Sequence, residues 1–361
     1  MHSLKMAQLL MQRVRDRGPN INALPAEPVL PYETVQQDGS NTYLVHRRDL
    51  VQNLLSRRSL TQPPITAIHT ICNHFGADPT PIEQFFSLSP IFLEGEKHRE
   101  ARKLFATRIQ EAARFIRPEL AHTTETHFRR LSQRTAGDLA QHGAIDFVDD
   151  VFRILFDEYL PEQEHEYAAI AHHPQSIFEM AHHPKRLLGT LTAMEPYLGR
   201  NPGHSLDPTE AALLLGFVLM GRDPLIGSFT DFLRTLRPLD EKDRADQLET
   251  VTSQQLFRNT SAVNYVTRVA TEPFVLEGMH IEPGDLIVCM LMNVRSTTES
   301  DNSRNLAFGH GHHKCAGQAL SLAIAEAFLA GLRNWHNQLP WPDLNEREPE
   351  ASVFRRYRST T

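Results

Sequence analysis

Apolar and polar positions alternate along this chain with two periods, and the helical one dominates. Leu4 to Arg17 repeats at helical spacing and stops before Gly18-Pro19. Tyr32-Glu33-Thr34-Val35 and Thr42-Tyr43-Leu44-Val45 flank Asp38-Gly39, a hairpin signal. Asp49 to Ser56 reads as a short helix, and the polar stretch after it, with Pro63, Pro64, Pro79 and Pro81, reads as irregular. Helical periodicity returns at Glu96, runs through Phe115 and, after Pro118, continues to about Gln141. Asp146 to Tyr159 is an amphipathic helix closed by Pro161.

Asp207-Pro208-Thr209-Glu210 is a strong helix start: an Asp N-cap, Pro at the first helical position and Glu to complete a capping box. The helix it opens is apolar over Leu213 to Met220 and is expected to run to Arg237, before Pro238. Its length and apolarity place it at the centre of the fold. Shorter helices follow between Asp240 and Arg258. Val263 to Val269, Pro273 to Leu276 and Leu286 to Met292 suggest a small sheet, and Gln318 to Trp335 is the last helix. The pattern predicts a mainly α fold with a small β-sheet region. No linker rich in Gly, Ser or Pro divides the chain, so residues 1–361 read as a single domain.

Composition narrows the class. The chain has 361 residues, 40% hydrophobic and 22% charged, as expected of a soluble globular protein. No apolar run approaches the roughly 20 residues of a membrane span, and no signal-peptide core follows Met1, so no membrane association is expected. A net charge of −7 gives no electrostatic case for nucleic acid. Cys72, Cys289 and Cys315 are scattered and odd in number, which argues against a disulfide framework and for a reducing cytoplasm.

The distinctive chemistry lies in Phe308-Gly309-His310-Gly311-His312-His313-Lys314-Cys315-Ala316-Gly317. A thiolate can serve as the axial ligand of haem iron, pushing electron density toward the metal. Cys315 precedes a helix start, where backbone N–H groups and the macrodipole favour negative charge. Gly309 and Gly311 permit backbone conformations closed to other residues, and Gly317 lets a helix lie near a flat macrocycle. His313 offers a ring N–H to a propionate, and Phe308 can shield the sulfur. The alternatives are an inert Gly/His-rich loop, or zinc, for which one Cys and three close histidines make an awkward tetrahedral set.

Phe-Gly-x-Gly-x-His-x-Cys-x-Gly resembles the haem-binding signature of the cytochrome P450 family, with every specified position filled. The resemblance extends through Asn41 to Val45, Asp49-Leu50-Val51, Arg58-Ser59-Leu60, Glu94 to Arg102 and Ile281 to Val288. It is nearest to soluble bacterial members. It implies a cytochrome P450-like fold, with haem b between the central helix and the cysteine-loop helix and its iron bound by Cys315. It also implies propionate contacts from His98, Arg102, Arg268 and His313. His98 and Arg102 stand one helical turn apart. A small-molecule substrate and a ferredoxin-type redox partner follow from the same resemblance.

Three departures qualify the implied activity, oxidative tailoring of a small organic molecule. The central helix of the family carries an acid followed by a threonine, which organise water for dioxygen protonation. Here the stretch is Met220-Gly221-Arg222-Asp223-Pro224, so the acid stays as Asp223 and the hydroxyl is lost to Pro224. Proline removes the bond to the Met220 carbonyl and kinks the helix. Arg222 and Asp223 either reach the distal pocket or pair elsewhere. The Glu-x-x-Arg motif reads Gln255-Leu256-Phe257-Arg258, where Gln can still accept a bond from Arg258 without charge assistance. The segment between Asn293 and Phe308 is short, with Arg295 or Arg304 in place of the family's meander arginine. These changes keep two other functions open: haem-thiolate chemistry without the usual oxygen activation, and a non-catalytic auxiliary role. His172, His173, His182 and His183 read as surface histidines.

Overall fold

A computed structural model of the chain describes residues 32–37, 40–63, 66–135, 137–159, 184–200, 206–260, 263–291, 306–341 and 344–345. The expected Leu4 to Arg17 helix, the histidine pairs, Arg295 and Arg304 lie outside them. The chain divides into two compact units that are interleaved in sequence, the first mainly Met1–Ala67 with Val263–Cys315, the second mainly Ile68–Ala262 with Ala316–Glu350.

The first unit is built on a five-stranded sheet. Strands β1 (Tyr32–Gln37) and β2 (Ser40–Val45) form the antiparallel hairpin expected across Asp38-Gly39, pairing Tyr32 with Val45. With β3 (Leu60–Thr61), β4 (Tyr265–Ala270), the short hairpin β5 (Phe274–Leu276) and β6 (Met279–Ile281), and β7 (Leu286–Met290), the sheet order is β1-β2-β7-β4-β3. Glu277 and Gly278, both at positive φ (49° and 83°), make the tight β5–β6 turn. β7 runs parallel to β2, with Cys289 opposite Val45, and antiparallel to β4. Asp285 pins the turn before β7: its carboxylate accepts from Asn41 N–H at 2.8 Å and Glu282 N–H at 2.9 Å. Helix α1 (Arg48–Ser56) lays Leu50, Val51, Leu54 and Leu55 into the same core as Tyr43, Val45, Ile287 and Cys289. The i, i+1, i+4, i+5 spacing of those residues is why α1 forms where its apolar stripe can be buried.

The second unit is helical. Helix α2 (Thr66–Phe75) and α3 (Thr80–Leu88) occupy the stretch expected to be irregular. Prolines misled that expectation, because Pro81 lies in the first turn of α3, where its missing N–H has no partner to lose. α2 stops at Gly76, whose φ of +64° lets Ala77 N–H bond the Cys72 carbonyl at 2.9 Å. Helix α4 (Gly95–Ser132) runs unbroken through Pro118 and ends before the expected Gln141. Asp138 then caps a π-helical turn, Leu139–Ile145, by accepting from Gln141 N–H, and α5 (Asp146–Tyr159) follows. Helix α6 is Pro184–Leu198.

The expected central helix is present as α7 (Pro208–Gly216), a π segment (Phe217–Arg222) and α8 (Asp223–Leu236). Asp207 caps it by accepting from Thr209 N–H at 2.8 Å, while Glu210 reaches Arg108 on α4 at 3.2 Å instead of closing a capping box. By length and composition this helix could cross a membrane, which corrects the reading that no apolar run is long enough. Yet 83% of its most apolar 18-residue window is buried inside the protein. Helices α9 (Glu241–Thr250), α10 (Ser253–Asn259) and α11 (Gln318–Trp335) complete the unit.

Its core is aromatic. Phe229 of α8 stacks on Phe328 of α11 at 4.2 Å and 6°, and Phe147 and Phe128 close edges around Phe328 at 5.3 and 5.6 Å. Gly331 permits this approach of α11 to α4. A Cβ there would strike the Phe128 ring and lie 2.8 Å from Thr124 Cγ2. Gly331→Ala is expected to destabilise the protein by about 1–3 kcal/mol through overpacking, read as a lower denaturation midpoint; an unchanged midpoint would show that Phe128 repacks freely.

Candidate functional site

The cysteine loop is shaped by its own backbone. Residues Leu306–Phe308 form one 3₁₀ turn and Gly311–His313 another. Cys315 N–H closes the loop on the Phe308 carbonyl at 2.8 Å, Gly309 N–H bonds Leu306 at 2.8 Å, and Lys314 N–H bonds Gly311 at 3.2 Å. Gly309 and Gly311 both sit at φ +71°, in the left-handed region that favours glycine. Gly311 also meets α1 so closely that a Cβ would strike the Leu55 carbonyl oxygen. Glycine is therefore required there twice over, by dihedral and by space.

This loop presents Cys315 differently from the other cysteines. Cys315 is exposed, whereas Cys72 and Cys289 are buried. Burial pushes the Cys289 thiol up to about 12, with Arg268 opposing, and also pushes Cys72 up. Neither suits a thiolate ligand, which must ionise. Phe308, beside the loop closure, is buried, and the His313 ring lies tilted against His312, centroids 4.4 Å apart. Gly317 directly precedes α11, whose first turn is closed by Ser321 N–H on the Gly317 carbonyl at 2.9 Å. An outward thiol on a closed, glycine-shaped loop, with histidine and arginine in the same unit, is a donor set that fits a haem: one anionic sulfur ligand and cations for carboxylates.

The remaining expected propionate residues are placed by strong local order. His98 is buried and Arg102 half-buried on α4, one turn apart. Arg268 lies in β4, buried at 6% exposure, and donates to the Thr267 carbonyl at 2.7 Å.

On the central helix, the π segment ends at Arg222, and Asp223 and Pro224 start α8. A π turn widens the helix locally and often marks a functional position. Pro224 supplies no N–H just where the helix returns to α, so the widening and the proline act at one place. Met220, Gly221 and Pro224 are half-buried, and Gly221 lies 3.7 Å from Phe152 Cζ, measured from a built Cβ. Arg222 and Asp223 are buried. Of the two orientations open to Arg222, the structure holds the paired one: its guanidinium donates to both Asp149 oxygens of α5, at 2.7 and 2.9 Å, and lies 3.5 Å from Asp223. Asp149 escaped sequence reading; its only signal was an acid on the inner side of an amphipathic helix.

Gln255 departs from expectation. Its side-chain oxygen accepts from the Thr252 N–H at 2.8 Å and the Thr252 hydroxyl at 3.1 Å, and its N–H donates back at 3.2 Å. This capping box satisfies the N-terminal N–H groups of α10, and it directs Gln255 to Thr252 rather than to Arg258.

Comparison with known proteins agrees with this geometry. No family model matches the chain. Cytochrome P450-SU2 of Streptomyces griseolus is 23% identical over 346 residues, 85% of this chain and 83% of that protein. Among solved structures, P450BioI in complex with a fatty-acylated acyl carrier protein superposes with a TM-score of 0.69 at 15% identity, covering 96% of this chain and 97% of that one. CYP109E1 from Bacillus megaterium with corticosterone gives 0.68 at 14% identity, covering 97% and 96%. MycCI from Micromonospora griseorubida, a mycinamicin VIII C21 methyl hydroxylase, gives 0.61 at 18%, covering 86% and 89%. The fold is that of the cytochromes P450. In sequence the chain is similar to a bacterial cytochrome P450 over most of its length.

Proposed function

We propose that this protein is a haem-thiolate oxidoreductase for oxidative tailoring of a small organic molecule in a biosynthetic pathway, with residues 1–361 acting as one cytoplasmic haem domain. The observation that carries the reading is the closed loop that presents Cys315. On this reading Cys315 is the iron ligand, and His98, Arg102, Arg268 and His313 are the residues for the propionates. Bound there, haem on a thiolate supplies oxidising chemistry that favours O–O cleavage. Gly309 and Gly311 set the loop, Phe308 shields its sulfur, and Gly317 opens the helix behind it. A ferredoxin-type protein is the proposed electron donor. The similarity to P450BioI, solved with an acylated carrier protein, and to MycCI, a methyl hydroxylase, supports small-molecule oxidation as the class of reaction.

The distal residues give this chain its own character. With Pro224 in place of a hydroxyl, proton handling falls to Asp223 and to polar groups of the substrate, while Met220 and Gly221 shape the widened turn. That same π turn beside Pro224 favours a second reading, peroxide-driven or other haem-thiolate chemistry that needs no threonine. The test combines two measurements. Reduced protein treated with carbon monoxide is expected to give a thiolate-type Soret band; its absence would defeat both readings. Pro224→Thr is then assayed with a reductase system and with peroxide. On the first reading it raises reductase-driven turnover about tenfold or more, within the range for a proton-transferring group; unchanged reductase turnover with peroxide activity retained favours the second.

A further inference from the structure

Arg222 divides its guanidinium between two carboxylates in a nearly dry site. Its side chain is 9% exposed, that of Asp149 19% and that of Asp223 8%. The two short bonds, 2.7 and 2.9 Å, form the bidentate fork with Asp149; Asp223, the adjacent residue in the chain, is touched only at 3.5 Å. This division is not imposed by the sequence neighbourhood, since Asp223 is next to Arg222 and Asp149 is 73 residues away. A planar guanidinium makes its strongest contact where both N–H groups meet one carboxylate. Asp149 thus draws the cation toward α5 and away from Asp223.

The other charged groups on this face of α5 are engaged elsewhere. Asp146 pairs with His142 at 3.0 Å and accepts from Gln141 at 2.7 Å, and Asp150 accepts from Arg130 at 2.7 Å. Arg222 is also the last residue of the π segment, so its clamp anchors the widened turn at the point where Pro224 leaves the ladder incomplete.

We propose that Asp149 is a positioning residue for the central helix: by binding Arg222 bidentately it keeps the guanidinium from closing on Asp223 and holds the π turn in place. The proposal rests on the haem-thiolate reading above, in which Asp223 handles protons. With Asp149 neutralised, Arg222 is drawn toward Asp223, which already lies 3.5 Å from its guanidinium. A carboxylate forked to a guanidinium is held ionised and its oxygens are covered, which removes it as a proton carrier.

The experiment compares haem-loaded wild type, Asp149→Asn and Asp149→Glu in peroxide-driven oxidation of the dye ABTS. Amide hydrogen exchange over residues 217–223 is followed in parallel. Asp149→Asn is expected to lower kcat about tenfold or more, leave KM for the dye within about twofold, and speed exchange in the π segment. Asp149→Glu, which keeps the fork, should restore most of kcat. An unchanged kcat in folded Asp149→Asn overturns the proposal, as does an equal loss in Asp149→Glu, which would mean packing alone. If wild type itself lacks the thiolate-type Soret band, the haem reading fails instead. Unchanged exchange in Asp149→Asn then still overturns the positioning role.

Discussion

Cys315→Ser is expected to abolish the thiolate-type Soret band of the reduced, carbon monoxide-treated protein and to leave the fold intact. Serine is close in size to cysteine, and the bonds that shape the loop belong to the backbone. Cys315 N–H on the Phe308 carbonyl and Gly309 N–H on Leu306 survive the exchange. What is lost is ionisation: a thiol deprotonates within reach of physiological pH and an alcohol does not. No other cysteine can substitute. Cys289 is buried in β7 with its thiol pushed up to about 12, and Cys72 is buried in α2. The expected spectrum shows no band at the thiolate position and activity at background, with circular dichroism unchanged. A persisting band would place the ligand elsewhere and remove the main support for the proposed function.

Gly311→Ala is the second large effect, this time on stability and haem retention. At φ +71° any Cβ costs about 1–2 kcal/mol. The Cβ would also strike the Leu55 carbonyl oxygen, with the Leu55 carbonyl carbon and Ser56 Cα at 3.1 Å. These are backbone atoms of α1 and cannot swing aside as a side-chain end would. Overpacking adds about 1–3 kcal/mol, so a total loss of about 2–5 kcal/mol is expected, with most of the haem lost on gel filtration. Gly309→Ala is the internal comparison. It shares the φ of +71°, but its nearest atoms, His313 O and Lys314 Cα, lie at 3.9 and 4.0 Å. It should show the dihedral penalty alone. Equal losses in the two variants would mean that the contact with α1 does not matter.

Much of this was legible from residue order, wherever the deciding interactions are local. The Cys315 loop closes through bonds between residues seven or fewer apart, so its motif carried its shape. Helix ends at Asp207, at Ser56 and across Gln318–Trp335 follow from caps and apolar spacing within one or two turns. The Asp38-Gly39 hairpin follows from the same short range. Pro118 and the prolines around α3 were harder, since a proline inside or at the first turn of a helix has the same signature as a breaker until the neighbouring packing is known.

The sequence by itself determined the shape of the Cys315 loop, the mainly helical class with its small sheet, and the central helix with its proline. Tertiary structure alone decided how the polar groups were shared. Arg222 stood beside Asp223 in the chain yet forked to Asp149, 73 residues away, because a buried guanidinium takes the carboxylate it can meet with two N–H groups. Gln255 is the contrasting, local case: Thr252, three residues before it, takes it in a capping box at the start of α10. Gly331 looked like an unremarkable small residue until Phe128 was brought against it, and the motif that marked Gly311 gave no sign of its contact with Leu55. Local bonding is encoded where it acts; competition among distant partners is settled only when the chain has folded.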